Sequence, residues 1–341
     1  MSAEKRRSQT AATENVSSTA TRINYNGKSA ENNCNRIGRG MGKNDEPRTK
    51  DEGQRTQDTG QRAKAVRLLA IDLDGTLLDS RSEISPANLQ ALAEASARGV
   101  QVLIVTGRRF HSARPFVAQL PCPVAVISSN GARIATSSGG VLYRNFLPAA
   151  VARQALEIAS EYWPYAVAIF DVPGRGQVTM HEGAVIEGPL GWYLKSAPEC
   201  LAQVEEFDAA ITQDPIQVLF GGPPARIAPL EPVLRASAAI SSIHLTWTKY
   251  PARNTSLLDV MNKGCSKGSA LAVWAQRTGI DPSEIMAIGD NFNDLEMLEF
   301  AGRPVLMGNS DPALGRDGWA VTASNDEDGV ARAVRTYVLG E

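Results

Sequence analysis

Leu68-Leu69-Ala70-Ile71-Asp72-Leu73-Asp74-Gly75-Thr76-Leu77-Leu78 carries an apolar run of strand length into two carboxylates one residue apart, then a glycine and a threonine. A continuous run of Leu, Ala and Ile reads as a strand covered on both faces, as in a parallel sheet. The C-terminal end of such a strand is where open α/β sheets place their ligands. Two acids at that point repel each other unless a cation or a shared proton lies between them. One reading is therefore a metal-assisted acid site at a strand end. The other is an aspartate capping the next helix beside a solvated neighbour, since turns are rich in Asp and Gly.

The flanking chain repeats the pattern. Ser85-Pro86 opens a helix with a capping serine and a proline at its first position, and Gly99 ends it. Val100–Val105 then reads as a second buried strand closing on Thr106-Gly107-Arg108, completing a βαβ unit. Val124–Ile127 makes a third, ending in Ser128-Ser129-Asn130-Gly131. Further on, Ser266-Lys267-Gly268 starts a helix running to Gly279, and Asp281-Pro282-Ser283-Glu284 has the form of a capping box. Ile285–Gly289 is a fourth strand, ending in Asp290-Asn291-Phe292-Asn293-Asp294, and Val305–Gly308 a fifth. Strand ends of one parallel sheet share an edge, so Asp72, Asp74, Thr106, Lys267, Asp290 and Asp294 are expected together.

Residues 148–255 have another texture: helical runs over Val151–Trp163 and Arg226–Ser237 alternate with short strands and Gly/Pro turns. That stretch is expected to form an α+β insert with its own sheet, acting in recognition. Residues 1–64, rich in Ser, Thr, Asn and charged side chains, are expected to be a disordered extension. The catalytic core is then 65–147 with 256–341. A net charge of −2 offers no attraction for nucleic acid or a membrane surface. The four scattered cysteines argue against a zinc site or a disulfide framework. With no apolar core of a signal peptide near the start, a cytoplasmic location is expected.

A hard cation such as Mg²⁺ takes carboxylates, water and substrate phosphate, and a transferring phosphoryl group needs a fixed cation, a hydroxyl and amide donors. Those residue types are the ones at the expected sheet edge. At these residues the chain resembles the haloacid dehalogenase superfamily. Asp-Leu-Asp-Gly-Thr-Leu at 72–77, Thr-Gly-Arg at 106–108, Ser-Lys-Gly at 266–268 and Gly-Asp-Asn-Phe-Asn-Asp at 289–294 match its four motifs in order. The long insert between the second and third motifs looks like that of Cof-type members with a class IIB cap.

The resemblance implies a Rossmann-like parallel-sheet core with an inserted α+β cap domain. It implies Asp72 as nucleophile, Asp74 as proton donor and acceptor, and Lys267 paired with the nucleophile. Thr106 and Gly107 would bind the phosphoryl group, with Asn293 and Asn130 near it. Asp72, Asp290 and the Asp74 main-chain carbonyl would hold Mg²⁺, with Asp294 supporting. The expected activity is hydrolysis of small phosphorylated metabolites, sugar phosphates or nucleotide-like cofactor phosphates, by a monomer or homodimer. A hexose phosphomutase would carry the same motifs, and a non-catalytic binding protein on the same scaffold is a third reading.

Overall fold

The four residues of the opening strand serve two layers at once, which is why all four are apolar. Leu69 and Ile71 pack with Leu92 and Phe110 on one face, whereas Leu68 and Ala70 pack with Leu271 and Leu298 on the other. The molecule is described by a computed structural model over residues 64–185 and 198–341, with Gly191 and Leu194 between. The expected disordered extension lies outside these residues except for Lys64, whose Nζ is 3.5 Å from Asp281 Oδ1.

The strand β1 (Leu68–Ile71) lies inside an eight-stranded sheet. On one side follow β2 (Gln101–Val105), β3 (Val124–Ser128), β4 (Arg133–Thr136) and β5 (Val141–Arg144). On the other lie β12 (Ile285–Gly289), β13 (Arg303–Leu306) and β14 (Ala320–Val321). All pairings from β14 through β3 are parallel, and β4 and β5 add an antiparallel edge. Chain order reverses at β1, between β12 and β2, and that switch point is where a doubly wound sheet opens its crevice.

The sequence reading passed over the helix Phe110–Val117, whose interior Pro115 breaks the helical signal. It also passed over the β4–β5 hairpin, whose four-residue strands are too short to show a period. The capping box at Asp281 is present, but it caps a single turn, Pro282–Glu284, that leads straight into β12.

A second, six-stranded sheet has the order β10 (Ile243–Tyr250), β11 (Thr255–Asn262), β9 (Gln217–Gly222), β6 (Ala166–Ile169), β7 (Val178–His181) and β8 (Leu201–Val204). Its apolar face meets the helices Ala149–Ile158 and Leu230–Ala236 through Phe220, Leu156 and Leu234. This corrects the expected boundary at 255/256. β11 pairs antiparallel with both β10 and β9, so the insert's sheet extends to Asn262. Leu257, Leu258, Val260 and Met261 suit a core strand equally well, and pairing through the Pro251–Asn254 turn decides otherwise. The two connections between core and insert meet where Asn262 Nδ2 donates to Asn145 Oδ1 at 2.7 Å. No helix among the described residues is long and apolar enough to cross a membrane.

Candidate active site

β1 runs directly into Asp72, and the turn that follows bends at Gly75 with φ 85°. A methyl group on Gly75 would lie 2.4 Å from Asp290 Oδ2, so this turn passes against the end of β12 only because the side chain is absent. Thr76 then donates from Oγ1 to Asp290 Oδ1 at 2.7 Å, tying the first motif to the last.

The helix Lys267–Thr278 starts with Ser266 as its cap, in a reciprocal box with Ser269. That start aims the buried Lys267 beneath the sheet edge. Its Nζ donates to Asp72 Oδ1 at 2.7 Å and to Asp294 Oδ1 at 2.6 Å. Asp294 in turn accepts through Oδ2 from the main-chain N–H groups of Asp290 and Asn291, each at 3.0 Å. Lys267 and Asp294 thus form a floor under Asp72 and are not among the residues facing the cavity above.

Asp72, Asp290 and Asp294 can bring carboxylate oxygens within 4.8 Å of one another. Burial pushes the Asp72 carboxyl up to about 7, Lys267 pulls it back, and the neighbouring Asp294 and Asp74 push it further. Burial, then Asp72 and Asp294, likewise hold Asp290 well above the usual carboxylate range. For Lys267 burial opposes the charge, yet Asp294 and Asp72 outweigh it and raise its affinity for the proton. One buried cation therefore serves three crowded acids, an arrangement short of positive charge. A hard divalent ion with oxygen ligands fits that donor set.

Asp74 stands apart from this group. Its carboxylate, with 34% of the side chain exposed, is gripped by Arg108, Nε to Oδ2 at 2.6 Å and Nη2 to Oδ1 at 2.5 Å. Thr106 is fully buried and accepts from the Arg108 main-chain N–H at 3.1 Å; Gly107, beside it, reaches the cavity and Thr106 does not. Asn130 and Asn293 meet over Gly107, Asn293 Nδ2 donating to Asn130 Oδ1 at 2.9 Å.

Above these groups lies a cavity of about 730 Å³ between the two sheets, lined by Asp72, Asp74, Arg108 and Asp290 below and by Lys249 and Tyr250 at the end of β10 and Arg253 in the turn after it. Lys249 stacks its Nζ 3.8 Å from the Phe292 ring centre, and its main-chain N–H and carbonyl both bond the Asn291 amide. The sequence reading missed these cavity-lining residues, along with Asp259 and Gln217. For Asp259 a signal existed: one acid inside the apolar run Leu257-Leu258-Asp259-Val260-Met261.

The profile of the haloacid dehalogenase-like hydrolases matches residues 69–334. The HMP-PP phosphatase of Serratia proteamaculans is 32% identical over 249 residues, spanning 73% of this chain and 86% of that protein. A pyridoxal phosphate phosphatase of Escherichia coli is 27% identical over 292 residues, 80% of this chain and 99% of its own length. A subclass IIB sugar phosphatase of the same superfamily shares the fold, with a TM-score of 0.62 at 23% identity over 80% of this chain and 99% of that one. With its four motifs on one sheet edge and a second sheet inserted between them, the chain belongs to the haloacid dehalogenase-like hydrolases, in the Cof-type branch with a class IIB cap.

Proposed function

We propose that this chain hydrolyses monoesters of small phosphorylated metabolites through a phosphorylated Asp72. The observation that carries the reading is the state of Asp72. One oxygen is held by Lys267, and the other takes no hydrogen bond among the described residues in a side chain that lines the cavity. Such a carboxylate is oriented through one oxygen while its second stays available to attack.

In this reading Asp72 attacks phosphorus and the ester P–O bond breaks. Asp74 gives a proton to the departing alkoxide, then takes one from the water that attacks the aspartyl-phosphate, so that inorganic phosphate leaves and Asp72 is restored. Arg108 grips both Asp74 carboxylate oxygens in the resting chain, so it must let go before Asp74 can reach the leaving group. The Gly107 amide, Asn130 and Asn293 surround the phosphoryl oxygens, and the Thr106 hydroxyl, buried behind them, holds the Arg108 main-chain N–H that follows. Asp72, Asp290 and the Asp74 main-chain carbonyl would hold Mg²⁺, supported by Asp294. The ion's chemistry there is to neutralise charge shared by the carboxylates and the phosphate.

The insert acts as a cap that closes over the site and excludes stray water. Its Lys249, Tyr250 and Arg253 bring an aromatic ring and cations to the leaving-group side of a cavity within the range of small-molecule sites. That lining suits a ring-bearing cofactor phosphate, the kind of substrate for which the pyridoxal phosphate phosphatase is named, with sugar phosphates as the second class. The protein acts as a monomer or homodimer in the cytoplasm, where free thiols such as Cys122, Cys200 and Cys265 persist.

The test is a panel of phosphate monoesters assayed with Mg²⁺ and with chelator, in wild type and Asp72→Asn. Release of free phosphate in wild type alone, with acid-stable label on Asp72, is expected. Turnover in Asp72→Asn, or phosphate reappearing on another carbon of the substrate, would overturn the reading.

A further inference from the structure

Asp259, on β11 of the cap sheet, is 1% exposed, and no lysine or arginine lies within ion-pair distance of it among the described residues. An isolated buried carboxylate is expensive, so its surroundings need a reason. Its Oδ1 accepts from Gln217 Nε2 at 2.5 Å and its Oδ2 from Asn130 Nδ2 at 3.0 Å. Asn130 then offers Oδ1 to Asn293 Nδ2 at 2.9 Å. A methyl group on Gly107 would sit 3.0 Å from Asn130 Oδ1 and 3.4 Å from Asn293 Nδ2, so this relay ends against the turn assigned to the phosphoryl group.

The direction of the relay is the informative part. Both Asp259 oxygens accept, so each amide touching them turns its NH₂ inward. The consequence is visible at the far ends: Gln217 Oε1 and Asn293 Oδ1 are buried with no donor. Amides choosing their own best partners would not leave two acceptors stranded. Asn130 is also held in a left-handed backbone conformation, φ 51°, next to Ser129 at φ 49°. Two such residues in succession persist only where the surroundings over-determine them.

We infer that Asp259 is a positioning residue: from the cap, it fixes which way the Asn130 and Asn293 amides face, and so keeps an N–H of Asn293 on the phosphoryl side of Gly107. The inference rests on the phosphatase reading above. With an amide at 259, Asn130 is free to turn over, Asn293 follows, and a carbonyl oxygen faces the phosphate in place of a donor. Asp259 touches no reacting atom, and its effect passes through Asn130.

The experiment is a double-mutant cycle in the full chain with Asp259→Asn, Asn130→Ala and both together. It uses p-nitrophenyl phosphate as substrate and inorganic phosphate as competitive inhibitor. Asp259→Asn is expected to weaken inhibition by phosphate about tenfold and to raise KM in step, the size of one lost hydrogen bond to a charged group. On the Asn130→Ala background the same substitution should change neither, because the residue it acts through is gone. Equal losses in both backgrounds, or inhibition by phosphate unchanged in Asp259→Asn, overturn the inference while leaving the phosphatase reading intact. If Asp259→Asn does not fold, Asp259→Ser takes its place in the same cycle, and the same outcomes decide. A wild type that neither turns over the substrate nor binds phosphate overturns both.

Discussion

Lys267 sits between Asp72 and Asp294 with almost no access to water, and the three charges are stable only as a set. Lys267→Met leaves two buried acids without their cation, a change that typically removes about 3–5 kcal/mol. Urea unfolding should register a loss of that size together with loss of turnover. Gly75→Ala is expected to act on the proposed ion site instead. It forces a side chain into φ 85° and toward Asp290, so Mg²⁺ binding measured by calorimetry should weaken while the rest of the core stays folded. Asp72, Asp74, Lys267 and Asp290 were legible as candidates because their residue types answer a chemical need at recognisable strand and helix boundaries. Asp259 was not: its importance lies in facing Asn130, 129 residues away in the chain.

The helix Lys267–Thr278 is held against the helix Leu295–Phe300 by the absence of a side chain at Gly268, where a methyl group would meet the Glu296 carbonyl oxygen at 2.5 Å. Gly268→Ala should therefore cost about 1–3 kcal/mol by overpacking and lower kcat, since the helix start carries Lys267. Thermal unfolding and kinetics on one preparation would check both. The β10–β11 hairpin calls for a different readout. Lys249→Ala is expected to raise KM for ring-bearing or sugar phosphates about tenfold while leaving p-nitrophenyl phosphate within twofold, because Lys249 lines the cavity on the side proposed for the leaving group. Strands β1, β2, β3 and β12 could be read from the sequence since burial on both faces makes them continuously apolar. β11 was passed over in the sequence and its residues were placed in the core, because either sheet would bury Leu257, Leu258, Val260 and Met261.

Among the described residues, Asp72, Asp294, Asp290 and Asp259 outnumber the one buried cation beside them, Lys267, and this sets the response to pH. Asp72 and Asp259 titrate near 7 in the folded chain against 3.8 in the unfolded one, and Asp290 is shifted the same way. The folded state thus binds these protons more tightly, and metal-free stability should fall as pH rises from about 4 through about 7. Melting temperatures in chelator from pH 5 to pH 8 should show that decline. Mg²⁺ should flatten it by binding the ionised folded form, and Asp259→Asn should make it shallower. A decline unaffected by Mg²⁺ would mean that the acids near Asp72 are not its cause.

Taken alone, the sequence determined the parallel core, the inserted cap and the order of the acid, hydroxyl and lysine positions, because those follow from local period, turn chemistry and residue type. It could not decide what meets what across the fold. That Asp74 rests on Arg108, that Lys267 lies under the site and away from the cavity, and that a cap aspartate orients two core asparagines depend on pairings between residues distant in the chain. Such contacts are settled by sheet register and interdigitated packing, and no stretch of sequence contains both partners.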